Sequence, residues 1–581
     1  MEFITTDYAS SGNTGNVEHD PLQSMAANQF GTHTSYDKMT TLSTPRTKKL
    51  KACLIVDSES IARWQYLALE LSLRTQITIC GVIYCQNTFS KRRSIRHSFY
   101  YLLSLASIRN RWTKAVNWNT LLSPSTPVHE FHAETIGSWQ LIPDETKSIM
   151  ASWTPDVVIK FGMNLLRDPD SLAVKYGVIS FHHGDPATNR GRPAGFYELL
   201  HLHLHAGIIV QKISNKLDAG EILAFGQFRL SYHSYRRTLE HMFEHGAPLL
   251  SKALQNVRDN IKIDKETDGI NYRLPSNFTV VRFCLCIIGR KVKRLLYGTL
   301  YRKNWSVGHI SNTLAELITP DSELTLTKSI PTPAGYEFIA DPFLASDGNV
   351  VCEGSPRRSG RGGLIVMSDD NISIIDTHML GSLGHVSFPC LFDFKGVTYL
   401  LPEMSSIGSQ RIASLNDRFQ IMTSQILSGI ENERLIDPIL RFENDRWWLF
   451  AGKLGSEHDA LYLWSSDEML GPFRPHPNNP VVMSPYGARN AGLIFEVGGH
   501  LYRPGQNNCE SYGNGIVLSR IDQLNDTNYN EISVAHLHFT DRHGPHTLTS
   551  NSDVTVVDFY VNVFSALAWL TRFRSLRLLK Q

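Results

Sequence analysis

The sequence lacks any C-x-x-C pair, and its eight cysteines are scattered over 581 residues. Scattered cysteines in a long chain indicate reduced thiols, so we expect a cytoplasmic protein without a structural metal. No apolar run reaches the roughly 18–20 residues that span a bilayer, so no transmembrane helix is expected. Residues 1–48 lack a hydrophobic signal core, and their polar composition predicts a disordered tail that is not exported.

An excess of charge of one sign is also missing. The formal net charge is +2, which gives no reason to expect a nucleic-acid partner. The apolar fraction of 42% and the charged fraction of 19% are values of globular proteins. A chain of this length is too long for one hydrophobic core, and the sequence therefore predicts a multidomain protein.

An α/β domain is predicted over residues 49–260. An apolar run at residues 51–57 is followed by a helix-period segment at 61–73 and a second apolar run at 77–84. Strand, helix and strand in this order form a βαβ unit, whose right-handed crossover implies a parallel, Rossmann-like sheet. No G-x-G-x-x-G motif is present, so an ordinary dinucleotide site is not expected.

Further elements of this domain follow the same pattern. Residues 156–162 and 177–181 predict two more strands, and one long helix is expected over about 234–257. A basic, aromatic segment at 91–122 predicts a helical insertion. Polar residues after the strands would lie at the carboxyl edge of the sheet, where open α/β sheets bind ligands.

The most informative motif follows the strand at 177–181. His182 comes directly after this strand, and Asp218 stands 36 residues later in a turn bounded by glycine. A strand-like segment at 206–213 lies between them, and an Arg-Gly-Arg loop occupies 190–192. The order and spacing resemble the core of folate-dependent formyltransferases, the family of methionyl-tRNA and sugar N-formyltransferases, over about residues 50–260.

The resemblance implies a catalytic site. His182 corresponds to the histidine of the Asn-x-His pair of the family, and Asp218 to the carboxylate that orients it and handles protons. Ser180 stands where the family has asparagine, and its hydroxyl can donate one hydrogen bond from a shorter arm. Loss of one oxyanion donor costs about 10²–10³ in rate, so the enzyme would be slower or another group would substitute.

The resemblance also implies a co-substrate site for 10-formyltetrahydrofolate. Phe161, Gly162 and Met163 match the place where the family lines the pterin pocket with backbone and apolar groups. Arg190 and Gly191 match the family's loop after the histidine, where the arginine could organise the loop or pair with an anionic substrate group. An ordinary solvated loop is the alternative. The family needs no metal, and none is expected here.

The second half of the chain carries an internal repeat. Four similar segments occupy residues 340–344, 387–391, 436–440 and 489–493, with equivalent positions 47, 49 and 53 residues apart, and 545–548 is a weaker fifth copy. Short strands in units of about 50 residues are typical of a β-propeller, predicted here over 335–559 with five blades. This region resembles propellers of arabinanase- and levansucrase-type glycosidases. It resembles more faintly the propeller-like region of plant glucosamine inositolphosphorylceramide transferase.

Carboxylates recur at the repeat positions. Asp341, Glu353, Glu403 and Asp437 stand at or just after the predicted blade starts, which face the axis of a propeller. Two or three carboxylates around the axis are what glycoside hydrolysis needs. Asp-Pro at a blade start is also a recurrent structural turn, and propellers often only bind sugar, so carbohydrate recognition is favoured over hydrolysis.

Two segments are basic without any acidic residue. Residues 279–304 hold seven Lys and Arg inside a predicted linker at 261–334, and residues 560–581 hold four in a predicted amphipathic C-terminal helix. Such segments either dock their apolar face on a neighbouring domain or meet an anionic membrane or polyanionic substrate peripherally.

Together these features predict an enzyme that formylates the amine of an amino sugar, either nucleotide-linked or in a glycoconjugate. The propeller would bind carbohydrate. One alternative is a non-catalytic carbohydrate-binding scaffold. The other is a glycosidase- or glycosyltransferase-associated propeller with an accessory, degenerate formyltransferase domain.

Overall fold

The computed structural model describes residues 48–86, 94–137, 139–215, 220–265, 267–357, 362–368, 371–381, 385–551 and 554–570. The predicted N-terminal tail therefore lies almost entirely outside the described residues. The chain divides into two compact units: the first has its described residues at 48–201, 206–226 and 234–286, and the second at 202–205, 227–233 and 287–570.

The N-terminal half contains twelve strands, seven α-helices and three short 3₁₀ helices within the described residues. The strands are β1 (Leu50–Val56), β2 (Ser60–Ala62), β3 (Ile77–Cys85), β4 (Ala115–Asn117), β5 (Val128–Phe131), β6 (Glu134–Ile136), β7 (Trp139–Leu141), β8 (Val157–Lys160), β9 (Leu165–Leu166), β10 (Val178–His182), β11 (His205–Lys212) and β12 (Glu221–Arg229). The helices are α1 (Arg63–Thr75), α2 (Ser98–Ser107), α3 (Asp144–Ser152), α4 (Phe196–Leu200), α5 (Tyr235–Gly246), α6 (Leu249–Arg258) and α7 (Asn277–Leu300).

A seven-stranded sheet in the order β12-β11-β10-β8-β1-β3-β5 forms the centre of the first unit. Strand β1 pairs in parallel with β3 and β8, and β8 pairs in parallel with β10. The predicted βαβ unit is confirmed, since α1 connects two adjacent parallel strands. Most of β1 is fully buried, as expected for a parallel strand covered on both faces.

Two predicted helices differ from the structure. The single helix expected over 234–257 is two helices, α5 and α6, with Pro248 between them. Proline has no backbone N–H and its ring clashes with the preceding turn, so a continuous helix is interrupted there. In the segment at 91–122, the described α-helix is limited to α2 and is followed by the short strand β4.

The second unit is mostly β-sheet. Its strands are β13 (Tyr301–Ile310), β14 (Ser322–Glu323), β15 (Leu326–Ile330), β16 (Tyr336–Leu344), β17 (Val350–Pro356), β18 (Gly363–Met367), β19 (Ile372–Ile374), β20 (Ser387–Phe394), β21 (Val397–Glu403), β22 (Arg411–Leu415), β23 (Ile421–Ile426), β24 (Leu435–Glu443), β25 (Arg446–Lys453), β26 (Ala460–Ser466), β27 (Arg474–Pro475), β28 (Val482–Met483), β29 (Tyr486–Asn490), β30 (Phe495–Val497), β31 (His500–Asn507), β32 (Ile516–Leu524), β33 (Tyr529–His538), β34 (Leu548–Ser550) and β35 (Thr555–Phe564). One short helix, α8 (Leu314–Leu317), lies among them.

These strands form successive, mainly antiparallel sheets. Three sheets follow the chain as β16–β19, β20–β23 and β24–β28, a fourth joins β14 to β29–β33, and another joins β13 and β15 to β34 and β35. The first strands of neighbouring sheets contact one another in the order β16, β20, β24 and β29, and β34 contacts β16. The backbone N–H of Leu548 donates to the Ala491 carbonyl at 2.7 Å, which connects β34 to the β29 sheet. The second unit is therefore propeller-like, and its blade number stays a prediction.

The segment predicted as a linker contributes to this second unit. Helix α7 leads directly into β13, which pairs antiparallel with β35 from Tyr301 opposite Phe564 to Ile310 opposite Thr555. Residues 560–564, predicted to start a C-terminal helix, are therefore strand; residues 571–581 lie outside the described residues. Among the helices of the described residues, none is long and apolar enough to cross a membrane.

Candidate functional site

In the first unit, the structure brings two of the predicted groups to one edge of the sheet. Phe161, Gly162 and Met163 follow β8, while Ser180 and His182 lie in the adjacent parallel strand β10. The carboxyl ends of both strands therefore meet, as the sequence predicts.

Gly162 lies against the residue that follows β1. A Cβ atom on Gly162 would stand 2.4 Å from the backbone nitrogen of Asp57, which explains glycine at this position. The backbone N–H of Met163 donates to Oδ2 of Asp57 at 2.8 Å, and Nζ of Lys160 donates to the Met163 carbonyl at 3.1 Å. Burial lowers the pKa of Lys160 to about 8, although the Asp57 carboxylate opposes this shift.

The other predicted residues of this unit make contacts within the fold. The Ser180 hydroxyl donates to the Lys160 carbonyl at 3.4 Å, and Nε of Arg190 donates to the Gly269 carbonyl at 2.7 Å. Gly191 packs so closely that a Cβ would stand 2.0 Å from the Tyr272 carbonyl oxygen. Asp218 lies outside the described residues. A folate site at this edge stays a prediction.

In the second unit, the repeat segments share one local geometry. Asp341, Phe388 and Asp437 each have a left-handed backbone, with φ of 51°, 43° and 46°. Each lies within a shift of strand register that resembles a β-bulge, between Ala340 and Phe343 in the first copy. A bulge re-aims side chains at the end of a strand, so the repeat places equivalent side chains at equivalent points of successive sheets.

The second strand of each sheet supplies the opposing residue. Glu353 pairs with Ala340, and Glu403 pairs in the same register with Ser387. The third sheet has Gly452 at the equivalent position, opposite Ile436. A glutamate therefore stands opposite the repeat segment in two of three successive sheets. The three sheets share the same cross-strand register at this position.

Asp341 belongs to a buried network with His546 and Asp558. Nε2 of His546 lies 3.2 Å from Oδ1 of Asp341, and its Nδ1 lies 2.6 Å from Oδ2 of Asp558. The Thr547 hydroxyl donates to Oδ1 of Asp341 at 2.8 Å. Burial favours a neutral imidazole, but the two carboxylates outweigh it and raise the pKa of His546 to about 10. Burial likewise opposes ionisation of Asp341, yet His546 and Thr547 hold its pKa below the ordinary value.

Asp437 is the second aspartate at a repeat position, and its side chain accepts hydrogen bonds from Arg489 and Gln506. Nε of Arg489 donates to its Oδ2 at 2.6 Å, and Nε2 of Gln506 donates to the same oxygen at 3.1 Å. The side-chain amide of Asn490 donates to the Asp437 carbonyl at 2.8 Å. Both the side chain and the backbone carbonyl of Asp437 therefore have hydrogen-bond partners in this buried place.

Glu353 and Glu403 differ from both aspartates. Burial raises the pKa of Glu353, and the neighbouring negative charge of Asp341 raises it further. Burial and then Asp437 raise the pKa of Glu403 in the same way. Glu353 is therefore mainly protonated at neutral pH while Asp341 is ionised, and opposite shifts of this kind are typical of functional sites.

Aromatic rings border the charged cluster. The Trp305 and His546 ring centroids lie 4.2 Å apart, and the Tyr512 and His546 centroids 5.2 Å apart. The guanidinium carbon of Arg489 lies 5.1 Å from the centroid of the Tyr512 ring. Neutral acids, fixed charges and aromatic faces together are the groups that recognise a polar ring with hydroxyls.

Among the described residues, two groups of side chains have the composition of a metal site. Asp341, His546 and Asp558 each place one ligand atom within 4.8 Å of the others, and so do Asp321, His536 and His538. In the first group the protonated His546 already supplies the positive charge between the carboxylates. His536 and His538 alternate along β33, so both imidazoles lie on one face.

The sequence missed several members of these sites. Lys160 and Asp57 carried no motif, and Asp558 stands on a strand with no repeat signal. Arg489 and His546 lie inside the fourth and fifth repeat copies, so the repeat could have identified them as candidate site residues. Their pairing with carboxylates from distant segments could not be predicted, because it depends on contacts between sheets.

A family model matches residues that lie within the second unit. Residues 322–552 match the family model of the N-terminal region of glucosamine inositolphosphorylceramide transferase 1. A protein of that name from rice (Oryza sativa subsp. japonica) is 31% identical over 229 residues, which are 37% of this chain and 30% of the rice protein. The chain thus covers less than a third of this curated relative.

Likenesses to solved structures are more distant. A thermostable family-43 glycoside hydrolase has 10% sequence identity and a TM-score of 0.31, and the match covers 40% of this chain and 94% of that one. Glycinamide ribonucleotide transformylase 1 from Symbiobacterium toebii has 12% identity and a TM-score of 0.24, and the match covers 38% of this chain and 92% of that one. Likenesses this weak carry no argument about the activity of this chain.

The prediction that the chain is a folate-dependent N-formyltransferase is wrong. The family model and the curated rice relative are named for a glucosamine inositolphosphorylceramide transferase, not for a formyltransferase. At the residue level, Ser180 replaces the family's asparagine, and Ser180, Arg190 and Gly191 contact the fold itself. The motif in the first unit therefore led to a wrong enzyme class, whereas the repeat in the second unit correctly predicted a propeller-like region.

Proposed function

We propose that the chain acts in glycosyl transfer to a glycoconjugate and that its second unit binds the sugar. The match of residues 322–552 to glucosamine inositolphosphorylceramide transferase 1 supports this class of function. The acceptor we propose is a glycolipid with an inositol phosphate headgroup, by analogy with the name of the rice relative. The first unit then serves as an accessory domain.

We use the name carboxyl cluster for Asp341, Glu353, Glu403 and Asp437. The observation that carries the proposal is that, within this cluster, Glu353 is protonated while Asp341 is ionised. A protonated Glu353 can donate a hydrogen bond to a sugar oxygen and accept one from a sugar hydroxyl. An ionised Asp341 accepts hydrogen bonds only, and accepts them strongly. Such complementary groups suit a polyhydroxylated ring, whose hydroxyls both donate and accept.

A second candidate is chemistry at a glycosidic bond. The opposite pKa shifts of Glu353 and Asp341 support it, since glycoside cleavage uses one protonated and one ionised carboxyl. In this candidate Glu353 protonates the leaving oxygen while Asp341 acts as the base toward water or an acceptor hydroxyl. The existing pairing of Asp341 with His546 and Thr547 favours the binding role.

The test is calorimetric titration of the full chain with glucosamine, with glucosaminyl-inositol phosphate and with arabinobiose. We expect binding of glucosaminyl-inositol phosphate, lowered at least about tenfold by Glu403→Ala, since loss of a buried hydrogen bond to a sugar costs about 1–3 kcal/mol. Asp445→Asn is the matched control, because Asp445 is exposed in the turn between β24 and β25.

Thermal unfolding of each variant separates loss of binding from loss of folding. Absence of binding to all three ligands by the folded wild-type chain would remove the sugar-binding proposal. Incubation with a nucleotide-linked hexosamine and inositolphosphorylceramide, followed by mass spectrometry, tests transfer itself. Cleavage of aryl glycosides that is lost in Glu353→Gln, while binding is kept, would select the second candidate instead.

A further inference from the structure

Helix α7 carries an apolar face that no described residue covers. In the part of α7 that belongs to the second unit, Ile288, Val292, Leu295 and Leu296 are between 50% and 66% exposed. At about 100° per residue these four positions fall within an arc of roughly 100°, so they form a single stripe. Surface leucines scattered singly are ordinary, whereas an aligned group of them indicates an interaction site.

The opposite face of the same helix segment holds it to the second unit. Nη1 of Arg290 donates to the Tyr232 carbonyl at 3.5 Å, and the Arg294 guanidinium contacts the His233 ring. Both partners belong to the second unit. The apolar stripe therefore faces away from the side on which the helix is anchored, and its exposure follows from how the helix packs.

Basic residues border the stripe on both sides. Lys291 and Lys293 are exposed, and the helical angle places one on each flank of the apolar arc. Residues 279–304 contain seven Lys and Arg and no Asp or Glu. An apolar stripe flanked by lysines on a helix without acids is the composition of helices that lie in the interface of an anionic membrane.

An exposed aromatic ring also lies in the second unit, beyond the C-terminal end of α7. Phe564 is 61% exposed, and its ring packs edge-on against Tyr301 with centroids 5.7 Å apart.

A second exposed group adjoins the C-terminal end of α7. The backbone N–H of Ser565 donates to the Leu300 carbonyl at 2.7 Å, which holds residues 565–570 beside the helix end. Leu567 and Trp569 in this segment are 60% and 51% exposed. Tryptophan is favoured at the boundary between lipid and water, where its ring meets both apolar and polar groups.

We infer that this stripe binds the surface of a bilayer that contains anionic lipid. The apolar side chains enter the boundary between headgroups and acyl chains, and Lys291 and Lys293 extend to the lipid phosphates. The inference concerns a surface distinct from the carboxyl cluster and needs no catalytic activity. A lipid surface, and not a protein partner, is favoured because the flanking charge is of one sign only.

Flotation of the full chain with vesicles tests the inference. We expect binding to vesicles of phosphatidylcholine with 30% phosphatidylglycerol in low salt, weaker binding in high salt, and little binding to phosphatidylcholine alone. Leu295→Asp should lower the partition at least about tenfold, because it puts a charge in the apolar stripe. Lys291→Glu with Lys293→Glu should lower it to a similar degree, since each cation near an anionic surface contributes about fivefold.

Ile374→Asp is the matched control. Ile374 is 72% exposed on β19 and has no lysine beside it in the described sequence, so its replacement should leave vesicle binding unchanged. Equal binding by wild type and Leu295→Asp, or no binding of wild type to anionic vesicles, would overturn the inference. Sedimentation velocity identifies the other occupant: a dimer that Leu295→Asp dissociates would assign the stripe to a second copy of the chain.

Discussion

Nε of Arg489 donates to Oδ2 of Asp437 at 2.6 Å, and this buried ion pair joins the third and fourth repeats of the propeller-like unit. The two residues stand 52 positions apart in the chain. Burial disfavours the arginine's charge, but the carboxylate of Asp437 outweighs it and raises the pKa of Arg489. Each of the two charges can be buried because the other sheet supplies its counter-charge. The ion pair therefore links the two sheets.

Breaking this pair should destabilise the second unit. Arg489→Met leaves the Asp437 carboxylate buried without its cation, which typically costs about 3–5 kcal/mol. Urea unfolding followed by tryptophan fluorescence measures the loss. Arg520→Met removes a solvent-exposed pair with Asp522 and should change stability little. Equal effects of the two substitutions would contradict a special role for the buried pair.

His546 should make stability depend on pH in a defined direction. Its pKa is raised from 6.5 to about 10 in the folded chain, so the folded state holds a proton that the unfolded state releases between these values. The contribution is complete below pH 6.5 and is lost as pH rises through 10, at about 1.4 kcal/mol per unit of pKa difference. His546→Gln should flatten the decline in unfolding free energy between pH 6.5 and 10, and an unchanged slope would exclude His546 as its source.

Sugar binding should weaken at alkaline pH. Glu353 is protonated at neutral pH because burial and Asp341 raise its pKa, and its ionisation would add a negative charge beside Asp341. Titrations between pH 6 and 9.5 should show falling affinity for wild type. Glu353→Gln, which keeps a donor at that place, should bind with little dependence on pH. A pH dependence that persists in Glu353→Gln would assign it to another group.

Two Gly→Ala substitutions should have opposite effects. Gly162→Ala places a Cβ 2.4 Å from the Asp57 nitrogen, and such overpacking against backbone costs about 1–3 kcal/mol. Gly289→Ala meets no atom within 4 Å and lies within α7, so helix propensity should stabilise it by about 0.5–1 kcal/mol. Thermal unfolding of both variants checks the pair, and tolerance of Gly162→Ala would show that the β8 edge can shift.

Several elements followed from local pattern alone. The βαβ unit of β1, α1 and β3 was predictable because buried parallel strands are continuously apolar and the connecting helix has its own period. The repeat at Asp341 and Asp437 was predictable because each sheet repeats the same local turn chemistry. The break of the long helix at Pro248 was visible in the sequence but outweighed by the helical period on both sides.

The sequence by itself determined which chemical groups recur and at what interval: carboxylates at repeat positions, and apolar residues at helical period beside lysines. Tertiary structure decided which of these groups meet. His546 becomes a cation because two carboxylates from other strands lie against it in a buried place. The stripe on α7 stays exposed because Arg290 and Arg294 anchor the opposite face. Protonation and exposure depend on desolvation by residues distant in the chain, and no local pattern encodes that.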